Sequence, residues 1–545
     1  MKDVGAIKSR YDKLATERQW YLTEGKRSAE LTIPSIMPSD LDASQLAVRT
    51  SPEDLPKPWQ SLGARGVRNL TAKLGMALFP STGAFMRYQL DPAMVRELRR
   101  AERIDQRSEI EKNLAIREQI ISDDIETHGV RIKVDQALRH LLVVGNILLY
   151  LTPKGGVRVF PLNNYVCRRD FTGNPVELIY LEVLDKHTLP EKFREALAKQ
   201  GHEIDPDTGE LANTKKDETV GVYTSLRLRG TRFHVTQEVD GAPVDLAGSD
   251  SIPADKSPFL PLRMVMIDGE DYGRGFVEEI RGDLRSAEEL RKAIVIGSLN
   301  AAKIVALVTP GAAVTPKKLM EAANGAAILG RPDDVTMLQQ NKHADFTVAQ
   351  QTYANLEQSL AASFLLNSAF QRDAERVTAE EIRRVAQELE DALGGIYSVL
   401  AQELQLPLAL RTEDRLVKEG KLGPLDKDTV TPVIVTGLAA IGRGHEFNRL
   451  REYMAFIRTE VAQMFPDIVQ YFKPREILER PALGLGVPTE GLLKTDDEIA
   501  QEQQQAQQQA QRAQLMDKAA GPFAEVAAQE MGGKIATEQA AQQQQ

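Results

Sequence analysis

Three pairs of adjacent aspartates are the first groups in this sequence that could do chemistry. Asp123-Asp124, Asp333-Asp334 and Asp496-Asp497 carry carboxylates of the kind that metal-dependent nucleases use. Adjacent side chains on a helix point in different directions, however, and no other acid or histidine stands at a supporting spacing. We therefore predict that all three pairs lie on the solvated surface, because isolated charges are usually exposed.

The other catalytic and metal-binding residue types form no set either. The seven histidines lack the spacing of a zinc site, and His234, alone in a strand, predicts a packed or solvent-facing ring. The single cysteine, Cys167, excludes an intrachain disulfide and predicts a small residue in a strand, in a chain that matures in a reducing cytoplasm. No G-x-x-x-x-G-K-S/T string occurs, which argues against an ATPase. The sequence thus predicts a protein that is not an enzyme and needs no metal or cofactor.

Charge and hydropathy narrow the class of protein further. A net charge of -10 over 545 residues argues against a strongly basic nucleic-acid-binding domain, so contact with nucleic acid would be local or weak. The most apolar stretches, Leu141 to Leu151 and Ala293 to Val308, fall short of the ~20 residues that span a bilayer. The length allows two to four domains. We expect a chain with several cores and no membrane insertion.

The elements of the first half change from helical to extended. Residues 1 to about 135 predict helices, among them one at 65–78 and a long charged one from Met94 to about His128. Between Gly145 and about Arg263 the apolar period becomes two. Strands are predicted at 157–160, 177–184, 220–228 and 232–239, with a short helix near 190–199.

Two apolar-striped helices bracket a small unit in the second half. The helices are predicted at 277–303 and at about 347–366, and the residues between them, 309–344, predict a compact non-helical unit with a weak strand at 326–329. A charged loop follows at 367–377. Thr378 and Glu381 then form a capping box that predicts a helix over 378–404. The rest of the chain predicts a polar linker to Asp428, a short helix near 433–441, a helix after Gly444 and a Gln-rich tail.

Several segments together resemble a known family. Residues 58–80, Gly269-Glu-Asp-Tyr-Gly-Arg274, Gly330-Arg-Pro-Asp-Asp334, 344–349 and 364–407 are similar to the head-to-tail connector, or portal, proteins of short-tailed bacteriophages (podoviruses). The resemblance extends from about residue 55 to about residue 445. It implies a protein that forms a ring, typically of twelve subunits, at one vertex of the capsid.

The resemblance also implies a predominantly helical α+β fold of the portal type, with a wing, a paired-helix stem, a small α/β clip and a C-terminal helical crown. On this chain the expected boundaries are the wing at 1–265 with a β-rich insert at about 145–265, the first stem helix at 266–305, the clip at 306–345, the second stem helix at 346–366, the channel loop at 367–377, the long wing helix and following segment at 378–445, the crown at 446–495 and the Gln-rich tail at 496–545.

Candidate site residues follow from this placement. The channel loop would present a near-neutral mixture of charges that touches DNA without gripping it, and could act as a valve; the alternative is a loop that makes only subunit contacts. The stem residues would contact either DNA or the next subunit. The candidates are Asn367, Arg372, Asp373, Glu375 and Arg376 in the loop, Arg285, Glu288, Arg291, Lys292 and Lys303 in the stem, and Lys317, Lys318 and Arg331 as clip docking residues.

The implied partners are those of a conduit for double-stranded viral DNA during packaging and ejection. They are other copies of the chain, the terminase large subunit, tail adaptor and tube proteins, the scaffold and major capsid proteins, and internal core proteins at the crown. The implied location is the virion, with assembly in the host cytoplasm. Two alternatives remain from the residues alone: a cytoplasmic helical adaptor with a disordered tail, and a non-motor subunit that processes nucleic acid through its paired acids.

Overall fold

A computed structural model describes the following residues of the chain: 5–38, 55–80, 85–91, 96, 104–186, 189–199, 219–246, 251–301, 305–323, 325–338, 343–366, 389, 399–425, 430–434 and 459. The chain divides into two units, Met1–Glu446 and Phe447–Gln545. Of the second unit only residue 459 is described. The predicted crown apart from residue 459, the Gln-rich tail and the aspartates at 496 and 497 therefore lie outside the described residues.

Four helices build most of the described N-terminal part. They are α1 (Ala6–Glu30), α2 (Leu62–Leu78), α3 (Ile104–Thr127) and α4 (Val130–Val144). In α2 the predicted stripe of Val67, Leu70, Leu74, Ala77 and Leu78 is buried, as the spacing of three and four residues requires. The same central core contains Leu138 and Leu141 of α4 and Ile121 of α3.

Gly145 separates a helix from a strand within the apolar run 141–151. Its φ is +83°, and its N–H donates to the carbonyls of His140 and Leu141, which ends α4. The chain then enters β2 (Asn146–Leu151), which pairs with β3 (Val157–Pro161) and with the later strand β10 (Phe259–Arg263). A Cβ on Gly145 would lie 2.3 Å from the backbone carbon of Arg274, so glycine also permits a close approach.

Besides this three-stranded sheet, the β-rich insert contains a six-stranded antiparallel sheet. Its path runs through β4 (Tyr165–Arg169), β5 (Pro175–Asp185), β6 (Thr219–Arg229), β7 (Arg232–Val239) and β8 (Ala242–Val244), and β9 (Ser251–Pro253) pairs with β7. Helix α5 (Glu191–Ala198) packs its Phe193 and Leu197 against Val222 and Val239. The predicted alternation of period two is confirmed here, together with the α+β class of the fold.

Helix α1 lies against this sheet through a buried arginine. The Arg18 guanidinium is fully buried and donates from Nη1 to the carbonyls of Leu162 at 2.8 Å and Tyr165 at 2.5 Å. Tyr11 of the same helix meets the ring of Tyr223 edge-on at 5.3 Å. Cys167 is buried in β4, as predicted, and burial raises the pKa of its thiol to about 11.

Two predictions after residue 405 are wrong. Much of the expected polar linker is a helix, α9 (Leu406–Lys418), which follows directly on a π-helical turn, Ala401–Gln405, with Pro407 at the junction between the two. Its buried face contains Leu408, Ala409 and Leu416. The expected helix near 433–441 begins as a strand, β13 (Val430–Ile434), paired with β1 (Met86–Leu90), because β-branched residues favour an extended backbone.

The bracketed unit also differs from its prediction. The flanking helices are observed as α6 (Phe276–Ala301) and α8 (His343–Ser363). Residues 326–329 form no strand, and the unit instead contains the antiparallel pair β11 (Val305–Val308) and β12 (Val335–Leu338) with a short helix, α7 (Pro316–Glu321). Four-residue strands without an alternating pattern leave little trace in a sequence, and Pro316 begins α7 rather than breaking it.

Candidate functional site

Helices α6 and α8 form an antiparallel hairpin. Phe276 at the start of α6 meets Phe364, just past the end of α8, edge-on at 6.1 Å between ring centroids. At the other end, a Cβ on Gly297 would lie 2.3 Å from the ring of Phe346, so the helices approach closely there. The Arg291 guanidinium lies over the Tyr353 ring at 5.6 Å, a cation–π contact within the pair.

The unit at the far end of the hairpin, residues 305–338, has little core of its own. Val314 is its one buried hydrophobic residue among those described. Its side chain packs so closely on Gly330 that a Cβ built on this glycine would lie 2.3 Å from Val314 Cγ2. Large apolar side chains instead face outward: Met320 is 88% exposed and Leu329 is 93% exposed. Large apolar side chains that are almost fully exposed on so small a unit are typical of a surface that meets another protein.

A carboxylate on α6 ties the hairpin to helix α2. The two Glu288 oxygens accept from the backbone N–H of Trp59 at 2.8 and 3.0 Å, and Oε2 also accepts from Gln60 N–H at 3.1 Å. These N–H groups stand just before α2, whose first turn has no acidic residue. Within that turn Gly63 N–H donates to the Gln60 side chain at 2.9 Å. Glu288 is thus held inside its own subunit.

The loop 269–274 anchors the start of α6. Arg274 pairs with both Glu270 oxygens, at 3.0 and 2.7 Å, and donates to Glu278 at 3.0 Å, while its guanidinium lies 4.2 Å from the Trp20 ring. The pair with Arg274 lowers the pKa of Glu270. Burial, together with a hydrogen bond to Glu270, raises the pKa of Tyr21 to about 12. Charge and aromatic contact therefore fix this loop against α1.

Two further contacts secure the same end. Asn146 and Gly273 exchange a reciprocal pair of hydrogen bonds, each 2.7 Å, between the side-chain amide and the peptide group. Arg281 of α6 pairs with Glu24 of α1 at 2.5 Å. Burial alone would raise the pKa of Glu24, but the pairs with Arg281 and Arg27 hold it below its usual value. The carboxylate stays charged, so the pair remains formed near neutral pH.

The end of α8 is held by side chains of α2. Leu365 has a φ of +53°, a left-handed conformation that is uncommon for leucine. Asn69 donates to the carbonyls of Phe364 and Leu365, each at 3.0 Å, and the buried Lys73 donates to Leu365 at 3.0 Å. These donors satisfy carbonyls that a helix end leaves without partners. The direction in which the chain leaves α8 is thereby fixed.

The candidate residues fall into three groups in the structure. Arg285 and Lys292 are exposed on α6, whereas Glu288 and Arg291 make the contacts within the subunit described above. Lys318 and Arg331 are exposed, and Lys317 stands 3.9 Å from Glu321 in a surface pair. Outside the described residues lie Lys303 and the loop residues Asn367, Arg372, Asp373, Glu375 and Arg376.

Sequence reasoning missed the residues that anchor the hairpin. Asn69 and Lys73 lie nearly three hundred positions from the carbonyls they bind, and Glu288 lies more than two hundred from Trp59. A local pattern contains no signal for such distant pairs. The one available signal was Lys73 itself, a charged residue beside the apolar stripe of α2.

One of the paired acids contradicts the prediction of a solvated surface. Asp124 forms an ion pair with Arg415 of α9, and its side chain is only 10% exposed. Asp123 is exposed, as predicted, and accepts from Gln119 at 2.7 Å. Asp334 caps its own turn through Arg331 N–H. Among the described residues, no three acids, histidines or cysteines come together as a metal-binding group.

Comparison with known proteins identifies relatives along most of the chain. A family profile described as "Bacteriophage head to tail connecting protein" matches residues 4–493. A portal protein of Escherichia phage T7 is 38% identical over 507 residues, 91% of this chain and 90% of the relative. One of Enterobacteria phage T3 is 39% identical over 497 residues, 90% and 88% of the two chains. A chain from the virion of a native gene transfer agent particle has 12% identity and a TM-score of 0.33, covering 78% and 90%, a similarity too low to support a conclusion.

Proposed function

The chain belongs to the family of bacteriophage head to tail connecting proteins, and we propose how its fold performs the portal function of that family. The family resemblance expected from the sequence is confirmed. As a portal protein the chain stands in the virion, at the vertex where head and tail connect. Within the described part of the chain, no helix has the length and hydropathy needed to cross a bilayer.

The first part of the proposal is that copies of the chain form a ring, with twelve as the expected number. The supporting observation is the hairpin of α6 and α8, anchored at one end and carrying apolar side chains at the other. Ile296 and Leu299 of α6 are 40% and 60% exposed in the single chain. Neighbouring copies would cover such side chains, which removes apolar area from water.

The second part is that the ring is a conduit for double-stranded DNA in packaging and ejection. A net charge of -10 on each chain supports passage rather than tight binding, because every neutralised phosphate adds a salt-dependent contact that resists sliding. The paired helices would form the stem around the passage. The role of the 367–377 loop as a valve stays a prediction from its sequence.

The third part concerns docking at the far unit, the clip in this proposal. Met320 and Leu329 offer apolar contact area, and the cations Lys317, Lys318 and Arg331 lie within three residues of one or the other in the sequence. A terminase large subunit would dock here during packaging, and tail adaptor and tube proteins afterwards. Scaffold and major capsid proteins would contact the wing, and internal core proteins the crown. ATP hydrolysis would belong to the terminase, so this chain would not act as an enzyme.

Native mass measurement and negative-stain images of the purified chain test the ring directly. We expect annular particles, and a monomer would contradict the first part of the proposal while favouring a helical adaptor. Magnesium-dependent cleavage of DNA by the pure chain would instead favour a nucleic-acid-processing subunit.

Met320→Asp and Leu329→Asp test docking, because both side chains are exposed and the substitutions leave the fold intact. Both variants should still form rings, but the fraction of particles filled with DNA should fall. Lys154→Asp, in the turn between β2 and β3 and also exposed, is the matched control on the wing. The valve prediction needs Arg372→Ala with Arg376→Ala, and unchanged length and retention of the packaged genome would contradict it.

A further inference from the structure

Between Thr347 and Ala362 the exposed side chains of α8 carry no charge, and the one acid of this stretch, Glu357, is half-buried. All ten exposed side chains between Thr347 and Ala362 are amides, hydroxyls, alanine or valine, in a chain of which 27% of residues are charged. Gln351, Asn355 and Gln358 follow one another at three- and four-residue spacing, so they share one side of the helix. This face is about 23 Å long at 1.5 Å per residue, roughly two thirds of a turn of B-form DNA.

The exposed face of α6 has the opposite character. It carries acidic and basic residues together, among them Asp283, Arg285, Glu289 and Lys292. Toward the far end it also exposes Ile296 and Leu299, at 40% and 60%. The two helices of one hairpin therefore present two chemically different surfaces.

These surfaces suit different neighbours. A duplex that slides needs contacts that form and break easily, and amides and hydroxyls can bond to phosphate oxygens without releasing bound counterions. Phosphates offer nothing to cover Ile296 and Leu299, and they would repel Asp283 and Glu289. A second copy of the chain can cover the apolar side chains and pair with charges of either sign.

We propose that the uncharged face of α8, centred on Gln351, Asn355 and Gln358, is the surface that meets the passing duplex, and that the charged face of α6 packs against the next copy. This inference rests on the proposed function, since it needs a ring through which DNA passes. The groups that touch the phosphates are then neutral hydrogen-bonding side chains of α8 rather than Arg285 or Lys292 of α6.

Site-specific photocrosslinking in DNA-filled particles tests the assignment. A benzophenone side chain replaces Gln351 in one variant and Lys292 in another, both at exposed positions of the same hairpin. We expect position 351 to crosslink to DNA and position 292 to a second copy of the chain. The reverse pattern overturns the inference, and so does filling of particles without a DNA crosslink at 351. Failure of the wild-type chain to form rings or to fill particles would refute the proposed function itself.

A charge placed on the α8 face gives an independent test. For each phosphate that an added lysine neutralises, affinity for DNA changes about 3.5-fold between 50 and 200 mM salt, so three lysines acting at once in a ring give about 40-fold. Gln351→Lys should therefore make DNA release slower and dependent on salt. Gln351→Glu, which places a charge of the opposite sign at the same site, should not slow release. Thr236→Lys, at an exposed position of β7 outside the hairpin, is the matched control and should release DNA like the wild type. Equal effects of Gln351→Lys and Thr236→Lys, or no effect of Gln351→Lys, would overturn the inference.

Discussion

Replacing Gly66 with alanine should destabilise the junction between α2 and the end of α8, although it places a better helix former inside a helix. A Cβ at this position would lie 2.2 Å from Cγ of Phe364 and within 2.5 Å of two further ring atoms. Phe364 is fully buried, so its ring has no free space into which to move. Overpacking of this kind costs about 1–3 kcal/mol, and the severe overlap favours the upper limit.

The gain from helix propensity offsets only part of this cost. Alanine is about 1 kcal/mol more favourable than glycine inside a helix, which leaves a net loss of about 2 kcal/mol. Gly75 supplies the matched control on the same helix, because nothing lies within 4 Å of a Cβ built there. Gly75→Ala should therefore stabilise α2 by up to about 1 kcal/mol. Two alanines on one helix are expected to act with opposite signs.

Local hydrogen exchange is the suitable assay, since a chain of this length does not unfold in one cooperative step. A net loss of about 2 kcal/mol raises the exchange of the α2 amides about 30-fold. Combining Gly66→Ala with Phe364→Ala removes the ring, so in that background Gly66→Ala should slow exchange, and the coupling energy should be about 3 kcal/mol. Equal behaviour of Gly66→Ala and Gly75→Ala, or the same sign in both backgrounds, would refute the reasoning.

Three further predictions concern buried groups. Burial lowers the pKa of His140 to about 4, below its unfolded value near 6.5. The neutral ring therefore contributes up to about 3 kcal/mol, which is present above pH 6.5 and lost as the pH falls toward 4. The loss of local stability of α4 between pH 7 and pH 4.5, measured by hydrogen exchange corrected for its intrinsic pH dependence, should shrink in His140→Leu. The Cys167 thiol, with its pKa raised by burial, should react with iodoacetamide only after denaturant is added, and rapid labelling of the native chain would contradict its burial. Arg117 and Glu413 join α3 to α9 with Nε to Oε1 at 2.7 Å. Glu413→Gln alone should therefore lower the local stability measured by hydrogen exchange of the α3 and α9 amides by about 3–5 kcal/mol, whereas the pair Arg117→Met with Glu413→Leu should cost much less.

The sequence predicted the elements whose stability depends on neighbours along the chain. The stripe of α2 and the alternating strands of the insert were found because helical and extended periods place apolar residues on one face. Helix α9 was missed because its polar composition concealed a narrow buried face containing Leu408 and Leu416. Strand β13 was missed because its identity depends on pairing with β1, more than three hundred residues earlier.

The candidate site divides in the same way. The hairpin and the unit at its far end were located from periodicity and proline positions. The groups that fix its base could not be located, because Glu288, Asn69 and Lys73 act on backbone atoms far away in the chain. Arg274 belongs to the segment 269–274, which resembles the connector family in sequence. Its contacts with Glu270 and the Trp20 ring could not be predicted, because they exist only in the folded chain.

The anchoring of the hairpin at one end has a mechanical consequence. The base is held where Phe276 meets Phe364, and α6 is held again at Glu288, beyond which it extends about 20 Å at 1.5 Å per residue. The hairpin beyond Glu288 is thus a cantilever, in which a tilt of about 8° moves the tip by about 3 Å, close to the length of a hydrogen bond. The stiffness of the base therefore determines how accurately the tips of neighbouring copies align. Weaker contacts at Arg274 or Glu288 would therefore misalign the hairpin tips of neighbouring copies before any helix unfolded.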